Sequence, residues 1–200
     1  MRTKITITFN NGDIKNYDDN SILSLVCSEN ITDTNLTITP GICEQYAEIK
    51  IYDRDNYLHE RAYGNKTDDA KLECYCIDES NTEHLLGTYY ASEWEVSGDD
   101  AVVRIKGRDK TYILDTVNID ALRRDGNKTL HQLITILFQN MHDYAWQYLD
   151  NETQTRCSSI VIPDCWYGSS TLREALDKIC YLGMLRIFFS NDVFYVGRSL

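Results

Sequence analysis

The sequence has no run of apolar residues long enough to cross a membrane. A membrane-spanning helix needs about 18 or more such residues in succession, and no stretch of the 200 residues approaches that length. The N-terminus also lacks the apolar segment and the small-residue cleavage site of a secretory signal. We therefore predict no membrane insertion and a protein made in the cytoplasm.

Proline is scarce and basic residues are in the minority. Two prolines and 42% hydrophobic residues separate the chain from disordered and collagen-like classes, so it should fold around a real core. Lysine and arginine total 20 against 31 acidic residues, which gives a net charge of -11. That charge repels phosphate backbones, and we predict no nucleic-acid binding.

The motifs that mark common enzyme classes are also missing. The sequence contains no G-x-G-x-x-G, phosphate loop, G-x-S-x-G or H-E-x-x-H. We therefore predict that the protein is not an enzyme, and we assign it no catalytic residue and no cofactor.

The seven cysteines do not form a metal-binding pattern. Their number is odd and no C-x₂-C pair occurs, so we interpret them as reduced thiols that act as small hydrophobic residues. Cys74 and Cys76 point to one face of a predicted strand, but zinc usually needs two further ligands. His59 and His84 are the candidates, yet no spacing links them to the pair. We predict core cysteines and no metal.

Two acidic patterns invite a functional interpretation. Asp53-Arg54-Asp55-Asn56 resembles the start of a calcium loop, but the sixth position is Leu58 and the twelfth is Gly64, so a turn before Tyr57 fits better. Glu93 and Glu95 flank Trp94 like the paired carboxylates of a glycosidase. Strand alternation, with both carboxylates toward solvent and Trp94 inward, explains that spacing more simply.

Residues 1–117 have the pattern of an antiparallel β-barrel or sandwich. Residues 3–9 alternate and are followed by the turn Asn11-Gly12, which predicts a hairpin. Turn residues separate the further predicted strands. These strands cover residues 22–28, 35–39, 48–53, 71–77, 85–96, 101–107 and 111–115. Short strands at this spacing, without long helices between them, favour an antiparallel fold.

The pattern becomes helical in residues 118–154, which we predict to be a helical connection. Thr129 can cap a helix that we expect to run from about Leu130 to Leu149. Residues 155–200 predict a small α+β unit: a strand at 160–162, a helix that begins after a hydroxyl cap and ends at Gly183, and a hairpin across Ser190-Asn191-Asp192.

Tyrosine and tryptophan are abundant, with fourteen and three residues. Large amphipathic rings are enriched at binding surfaces. Tyr144, Trp146 and Tyr148 fall on the predicted helix, where neighbouring residues cannot all face one core. We therefore expect at least one of these rings at a subunit or domain interface.

Three stretches resemble phage tail hub and baseplate (tail-tip) proteins. The runs ITPGICEQYAEIKIYDRDN and LGTYYASEWEVSGDDAVVRIKGRDK are similar to the first barrel of that family, and STLREALDKICYLGMLRIFFSNDVFYVGR is similar to its recurring helix and hairpin. The resemblance implies a structural protein of the virion tail that forms a ring around the tail axis and contacts other tail or baseplate proteins. It carries no catalytic residues.

A homo-oligomer, either a trimer or a hexamer ring, is therefore the expected state. The chain ends at Leu200 directly after the hairpin, so we expect a second domain that is minimal or truncated. The alternative function is a carbohydrate- or receptor-binding module whose exposed rings stack on a ligand. A glycosidase comes third, because it rests on Glu93 and Glu95 alone.

Overall fold

The structure, a computed structural model, describes residues 2–29, 40–63, 69–96, 101–119, 126–141, 143–163 and 170–199. Contacts divide the chain into two compact units: unit 1 contains residues 1–29 and 45–109, and unit 2 contains residues 30–44 and 110–200. The elements follow one another as β1 (Arg2–Thr8), β2 (Ile14–Asp18), β3 (Ile22–Glu29), β4 (Gly41–Ile42), β5 (Gln45–Tyr52), α1 (Tyr57–Tyr63), β6 (Lys71–Ile77), β7 (Glu83–Val96), β8 (Val102–Arg108), a 3₁₀ turn (Lys110–Tyr112), α2 (Ile113–Thr116), β9 (Asn118–Ile119), β10 (Lys128–Thr129), α3 (Leu130–Phe138), β11 (Ala145–Tyr148), α4 (Asn151–Ser159), β12 (Val161–Ile162), β13 (Ser170–Thr171), α5 (Leu172–Gly183), β14 (Leu185–Ser190) and β15 (Val193–Arg198).

Unit 1 is one antiparallel sheet of seven strands in the order β2-β1-β6-β7-β8-β5-β3. Alternate residues of each strand point to one face, and the fully buried ones form the core of the unit. Its members include Ile5, Ile7, Ile49, Ile51, Leu72 and Ile105, each at 0% exposure. The predicted mainly antiparallel β fold with a smaller α+β part is confirmed.

In the described residues, the first and last strands of the unit 1 sheet are not hydrogen-bonded to each other. Its two edge strands, β2 and β3, are consecutive in the chain and are joined by three residues, with the amide of Ser21 bonded to the carbonyl of Asp18 at 2.9 Å. This short link holds one end of each edge strand close to the other, so the sheet must curl strongly. Within the described residues β2 and β3 do not pair, and no closed barrel forms.

Several strand predictions in unit 1 are confirmed, and others are corrected. The predicted strands at 22–28, 71–77 and 85–96 correspond to β3, β6 and β7. The predicted strand at 111–115 is wrong, since this stretch forms the 3₁₀ turn and α2, with Leu114 fully buried. A β-rich composition does not distinguish a strand from one short turn of helix. The predicted strand at 35–39 lies outside the described residues.

Unit 2 packs helices against a four-stranded sheet in the order β11-β15-β14-β4. β14 and β15 form the predicted hairpin, and Asn191 and Asp192 supply the two positive φ angles, 50° and 61°, of its two-residue turn. Its core contains Leu130, Ile134, Leu137, Leu172, Leu176, Ile179 and Phe194. None of the helices in the described parts of the chain is long and apolar enough to span a membrane.

The long helix predicted from Leu130 to Leu149 is half as long as expected. The predicted cap is confirmed, since Thr129 accepts from the amide of Gln132 at 3.2 Å, and α3 ends at Phe138. Asn140 ends it, because its side-chain amide donates to the carbonyls of Ile136 and Leu137, both at 3.1 Å. The chain then forms β11, which pairs in parallel with β15.

The second predicted helix of unit 2 is confirmed as α5, with Thr171 as its cap and Glu174 in its first turn. α5 ends at Gly183 as predicted, but the left-handed residue that closes the helix is the next one. Met184 adopts the left-handed conformation with φ of 50°, and Gly183 is the last helical residue. A Cβ at Gly183 would lie 2.8 Å from Leu185 and 2.9 Å from Leu130, so this glycine provides close packing instead of a turn.

The predicted domain bounds at residues 117 and 154 stay predictions. By contacts, residues 110–200 belong to one unit.

Candidate protein interaction surface

The outer face of the unit 1 sheet carries a row of charged side chains, which we call the charge ladder: Glu48, Glu93, Glu95, Arg104 and Lys106. Arg104 bonds Glu48 at 2.9 Å and Glu95 at 3.0 Å. Lys106 bonds Glu93 at 2.7 Å and Glu95 at 3.4 Å. Cross-strand pairs of opposite charge contribute modestly to the stability of a sheet.

Hydrogen bonds shift the pKa values of several ladder groups. The bond from the Arg104 guanidinium holds the pKa of the Glu48 carboxyl below its ordinary value, and a bond from the same group lowers the pKa of Glu95. The bond to Glu93 raises the pKa of Lys106. These bonds favour the charged forms of Glu48, Glu95 and Lys106 in the folded protein.

A β-bulge in β7 directs the two carboxylates outward. The register with β8 shifts between Ala91 and Glu93, which leaves Ser92 as the extra residue. Tyr89 and Ala91 face the core before the bulge, and Trp94 and Val96 pack on the core after it. Because one inserted residue reverses the alternation, Glu93 and Glu95 are on the solvent face. The interpretation of this pair from the sequence agrees with the structure.

A groove of about 420 Å³ is lined by residues of β3, β5, β7 and β8, among them part of the charge ladder. Its lining includes Val26, Ser28, Tyr46, Glu48, Glu93 and Arg108. It combines aliphatic side chains and one aromatic side chain with charges of both signs. This combination resembles the mixed polar and apolar character of protein contact surfaces more than an enclosed apolar ligand cavity.

β3, which contributes Val26 and Ser28 to the groove, is one edge of the sheet. Leu23 and Val26 on β3 are 57% and 56% exposed. The opposite edge, β2, has five residues against eight, and Ile14 is its exposed apolar side chain at 60%. Exposed edge strands are templates for pairing with another chain, and longer apolar ones are the stronger templates.

The four side chains considered as zinc ligands lie apart from one another in their bonding. Cys74 and Cys76 are buried, His59 bonds Asp53 at 2.8 Å, and His84 bonds Asp78 at 2.9 Å. Among the residues that the structure describes, no three or more His, Cys, Asp and Glu side chains converge on one metal position.

The calcium-like segment is a helix start. The fully buried Asp53 accepts from the amide of His59 at 2.9 Å, and Asn56 has a φ of 55°. Asp55 pairs with Lys15 at 3.1 Å. Tyr57 then opens α1 and meets the ring of Phe9 edge to face at 5.8 Å. The segment is a turn before an aromatic anchor, as the sequence indicates.

The interface prediction for the aromatic residues of unit 2 assumed that they lie on a helix, and this assumption is wrong. Residues 145–148 form a strand, so Tyr144, Trp146 and Tyr148 lie on the same face instead of spreading around a helix. All three are partly buried against the core of unit 2, with Trp146 stacked on Phe138 at 5.1 Å. The structure gives no reason to assign any of them to an interface.

Sequence reasoning did not find the groove or the β3 edge. A predicted strand at 22–28 has no signal that separates an edge from a central position, because strand order depends on residues distant in sequence. The consecutive apolar pairs of β3, Ile22-Leu23 and Leu25-Val26, are the one available hint, since both faces of the strand then carry aliphatic side chains.

Comparison with known proteins gives fold neighbours only. No protein-family model matches the chain, and no curated protein matches it in sequence. Among solved structures, it matches the 43 kDa tail protein of prophage MuSo2 from Shewanella oneidensis with a TM-score of 0.57 and 13% identity, over 99% of this chain and 56% of that one. It matches prophage tail protein gp18 from Listeria monocytogenes with a TM-score of 0.56 and 13% identity, over 98% and 50%.

A third match is the Francisella PdpA-VgrG complex, with a TM-score of 0.53 and 9% identity, over all of this chain and 31% of the matched chain. The chain thus spans about half the length of the two prophage tail proteins and 31% of the matched chain in the Francisella complex. Identities this low carry information about fold alone. The resemblance seen in the sequence is confirmed at that level, and the chain has the fold of prophage tail proteins.

Proposed function

We propose that this protein is a structural component of a phage tail or baseplate, acts as a hub or tail-tip module, and works through protein-protein contacts without catalysis. The observation that carries the proposal is the match to two prophage tail proteins over 98–99% of the chain. A match of that extent includes the open sheet of unit 1 and the α+β core of unit 2, so it does not rest on a common substructure.

The β3 edge supplies a contact for self-association. Its Leu23 and Val26 are more than half exposed, and in the described part of the chain no strand pairs with its outer side. A second copy of the chain would cover this apolar edge, and closed rings remove the edges that isolated sheets leave open. The adjacent charge ladder, with carboxylates and cations interspersed, would set the register of the contact.

The proposed setting is the virion tail, with other tail or baseplate proteins as neighbours. The Francisella structure is a complex of PdpA with VgrG, which supports partners of that kind for a chain with this fold. The carbohydrate-binding alternative stays a prediction. The large exposed aromatic residues are Tyr52 in unit 1 and Tyr181 in unit 2, and neither belongs to an aromatic cluster in the described residues.

The mass of the full chain in solution, measured by light scattering across a concentration series, tests the proposal. We expect the mass to rise to a trimer or hexamer. Val26→Lys should raise the concentration at the midpoint of assembly at least about tenfold, because a charge on an edge strand opposes pairing. Ile14→Lys on the opposite edge is the matched control, since its side chain is equally exposed.

Equal effects of the two lysine variants would reject β3 as the contact while leaving self-association intact. A strict monomer at every concentration would contradict self-assembly. Binding of an immobilised glycan by that monomer would then favour the carbohydrate-binding alternative.

A further inference from the structure

The four-stranded sheet of unit 2 has a second face that lies outside the core of the unit. Neighbouring residues of a strand point to opposite faces. Leu185 and Ile187 of β14 pack in the core, whereas Arg186 and Phe188 do not belong to it. Tyr195 on β15, the cross-strand partner of Phe188, also lies outside the core. We call this side of the sheet the outer face.

A glycine lets two side chains of the outer face lie close together. Gly197 is the cross-strand partner of Arg186. A Cβ at Gly197 would lie 3.2 Å from the side chain of Leu149 and 3.8 Å from Nε of Arg186. Leu149 and Arg186 therefore lie side by side over the glycine, and Leu149 is 49% exposed.

Two aromatic rings complete the outer face. Phe188 and Tyr195 stack with their centroids 5.3 Å apart and an angle of 13° between the ring planes. The guanidinium carbon of Arg186 lies 5.5 Å from the centroid of Phe188. The face thus presents one cation among aliphatic and aromatic side chains.

The guanidinium of Arg186 has no anion to neutralise it in the described part of the chain. Its Nε is buried without a hydrogen-bond acceptor, and no described carboxylate pairs with it. A guanidinium stays charged in proteins and carries five N–H donors. A buried charged donor without an acceptor is unfavourable, and a carboxylate forms its strongest bonds with arginine. The outer face therefore fits a surface that brings a carboxylate beside an apolar side chain.

We propose that the outer face of unit 2 receives the β3 edge of a second copy of the chain, with Arg186 of one copy bonded to Glu93 of the other. This inference rests on the proposed self-assembly and names the surface that covers β3. The contact joins two different surfaces, so it is head-to-tail, and repeated contacts of this kind can close into a ring.

The groove beside β3 has the complementary chemistry. Val26 and Glu93 line it together. The side chain of Glu93 is 51% exposed, and its ion pair in the described residues is with Lys106 at 2.7 Å. Because a carboxylate accepts about four hydrogen bonds, Glu93 can bond a guanidinium as well. Val26, which is 56% exposed, would then pack on the apolar side chains of the outer face.

A symmetric contact between two β3 edges fits these observations less well. It would bury Val26 of both copies but would leave Arg186 without an acceptor. Such a contact uses the same surface on both copies, so it ends at a dimer. The head-to-tail contact covers the apolar edge and satisfies the guanidinium together.

The test measures the mass of the full chain by light scattering across a concentration series, for the variants Arg186→Gln and Glu93→Gln and for the double variant. Each single variant should raise the concentration at the midpoint of assembly at least about tenfold. The double variant should assemble no more weakly than the weaker single variant, because both substitutions remove the same bond.

Two matched controls accompany this cycle. Glu95→Gln removes a ladder carboxylate that does not line the groove, so its effect should multiply with that of Arg186→Gln. Lys178→Gln removes one positive charge at an exposed position of α5, and its midpoint should stay within about twofold of the wild-type value.

Leu149→Lys tests the outer face without altering Arg186. It should also raise the midpoint about tenfold, because a charge replaces a half-exposed apolar contact. Hydrogen exchange in β14 and β15 of each monomeric variant should match wild type. If exchange shows that Arg186→Gln unfolds unit 2, Leu149→Lys decides the question.

The outcomes separate this contact from self-assembly as a whole. Effects of Arg186→Gln and Glu93→Gln that multiply fully would overturn the pairing. Assembly that no outer-face variant weakens, or an assembly that ends at a dimer, would overturn the contact and leave self-association intact. A wild-type chain that stays monomeric at every concentration would contradict both the contact and the proposed self-assembly.

Discussion

The two units build their cores in different ways. Unit 1 fills one curved sheet with aliphatic side chains such as Ile5, Ile49 and Ile105, and its other face holds the charge ladder. Unit 2 covers its smaller sheet with helices and concentrates rings around Phe194, which contacts Phe138 at 5.7 Å and Phe189 at 4.9 Å. A sheet packed on one face leaves its other face and its edges available for contacts. In a sheet that helices cover, as in unit 2, the covered face is part of the core and is not available for contacts.

Removal of the ring at the centre of unit 2 should have the largest effect. Phe194 is fully buried, so Phe194→Ala should lower the free energy of unfolding of unit 2 by about 3–5 kcal/mol through lost burial and a cavity. Hydrogen exchange measured on peptides from each unit can follow this effect separately. We expect faster exchange in α3, α5 and β14, with β1 and β6 of unit 1 unchanged.

Phe194→Leu is the control, because it keeps most of the volume and should cost less. An equal loss of protection in β1 and β6 would break the comparison, since it would mean that the two units unfold as one cooperative structure.

A second substitution tests whether the rings of β11 stabilise the core. Trp146 is partly buried and stacks on Phe138, so Trp146→Ala should cost about 2 kcal/mol in urea unfolding, less than a fully buried ring. Tyr181→Ala is the matched control at 71% exposure and should change stability by less than about 0.5 kcal/mol. If the tyrosine variant were the more costly one, the assignment of Trp146 to the core would be wrong.

The same β11 segment shows where prediction from sequence fails. Long strands such as β6 and β7 provide many alternating positions, and their bounds follow from the pattern. β11 has four residues, Ala145–Tyr148, and six residues separate it from the end of α3 at Phe138. The stop signal was Asn140, whose amide bonds the last carbonyls of the helix, but asparagine also occurs within helices. Parallel pairing with β15, about 50 residues away, decided the outcome, and no local pattern encodes it.

Some features of the candidate surface depend on neighbouring residues in the sequence, and others depend on residues far apart in it. The outward direction of Glu93 and Glu95 could be predicted because alternation is local. The bulge at Ser92 that produces it could not, since a bulge is defined by register with β8.

The smallest effect is expected for the charge ladder. Because the hydrogen bonds from Arg104 lower the pKa values of Glu48 and Glu95 in the folded protein, these pairs stabilise unit 1 above the ordinary glutamate pKa of about 4.3, and the contribution is lost as pH falls through the lower folded values. The double variant Glu48→Gln, Glu95→Gln should therefore show a shallower decline in melting temperature between pH 6 and pH 3 than wild type, on the order of a small surface effect.

Glu79→Gln, at an exposed position in the turn between β6 and β7, is the control and should keep the wild-type pH profile. High salt should reduce the difference between the double variant and wild type, because surface pairs are screened. A double variant whose decline is as steep as that of wild type would mean that the ladder does not stabilise the fold. Its ordered charges would then be explained by what they contact outside the chain, which would strengthen the assignment of this face to assembly.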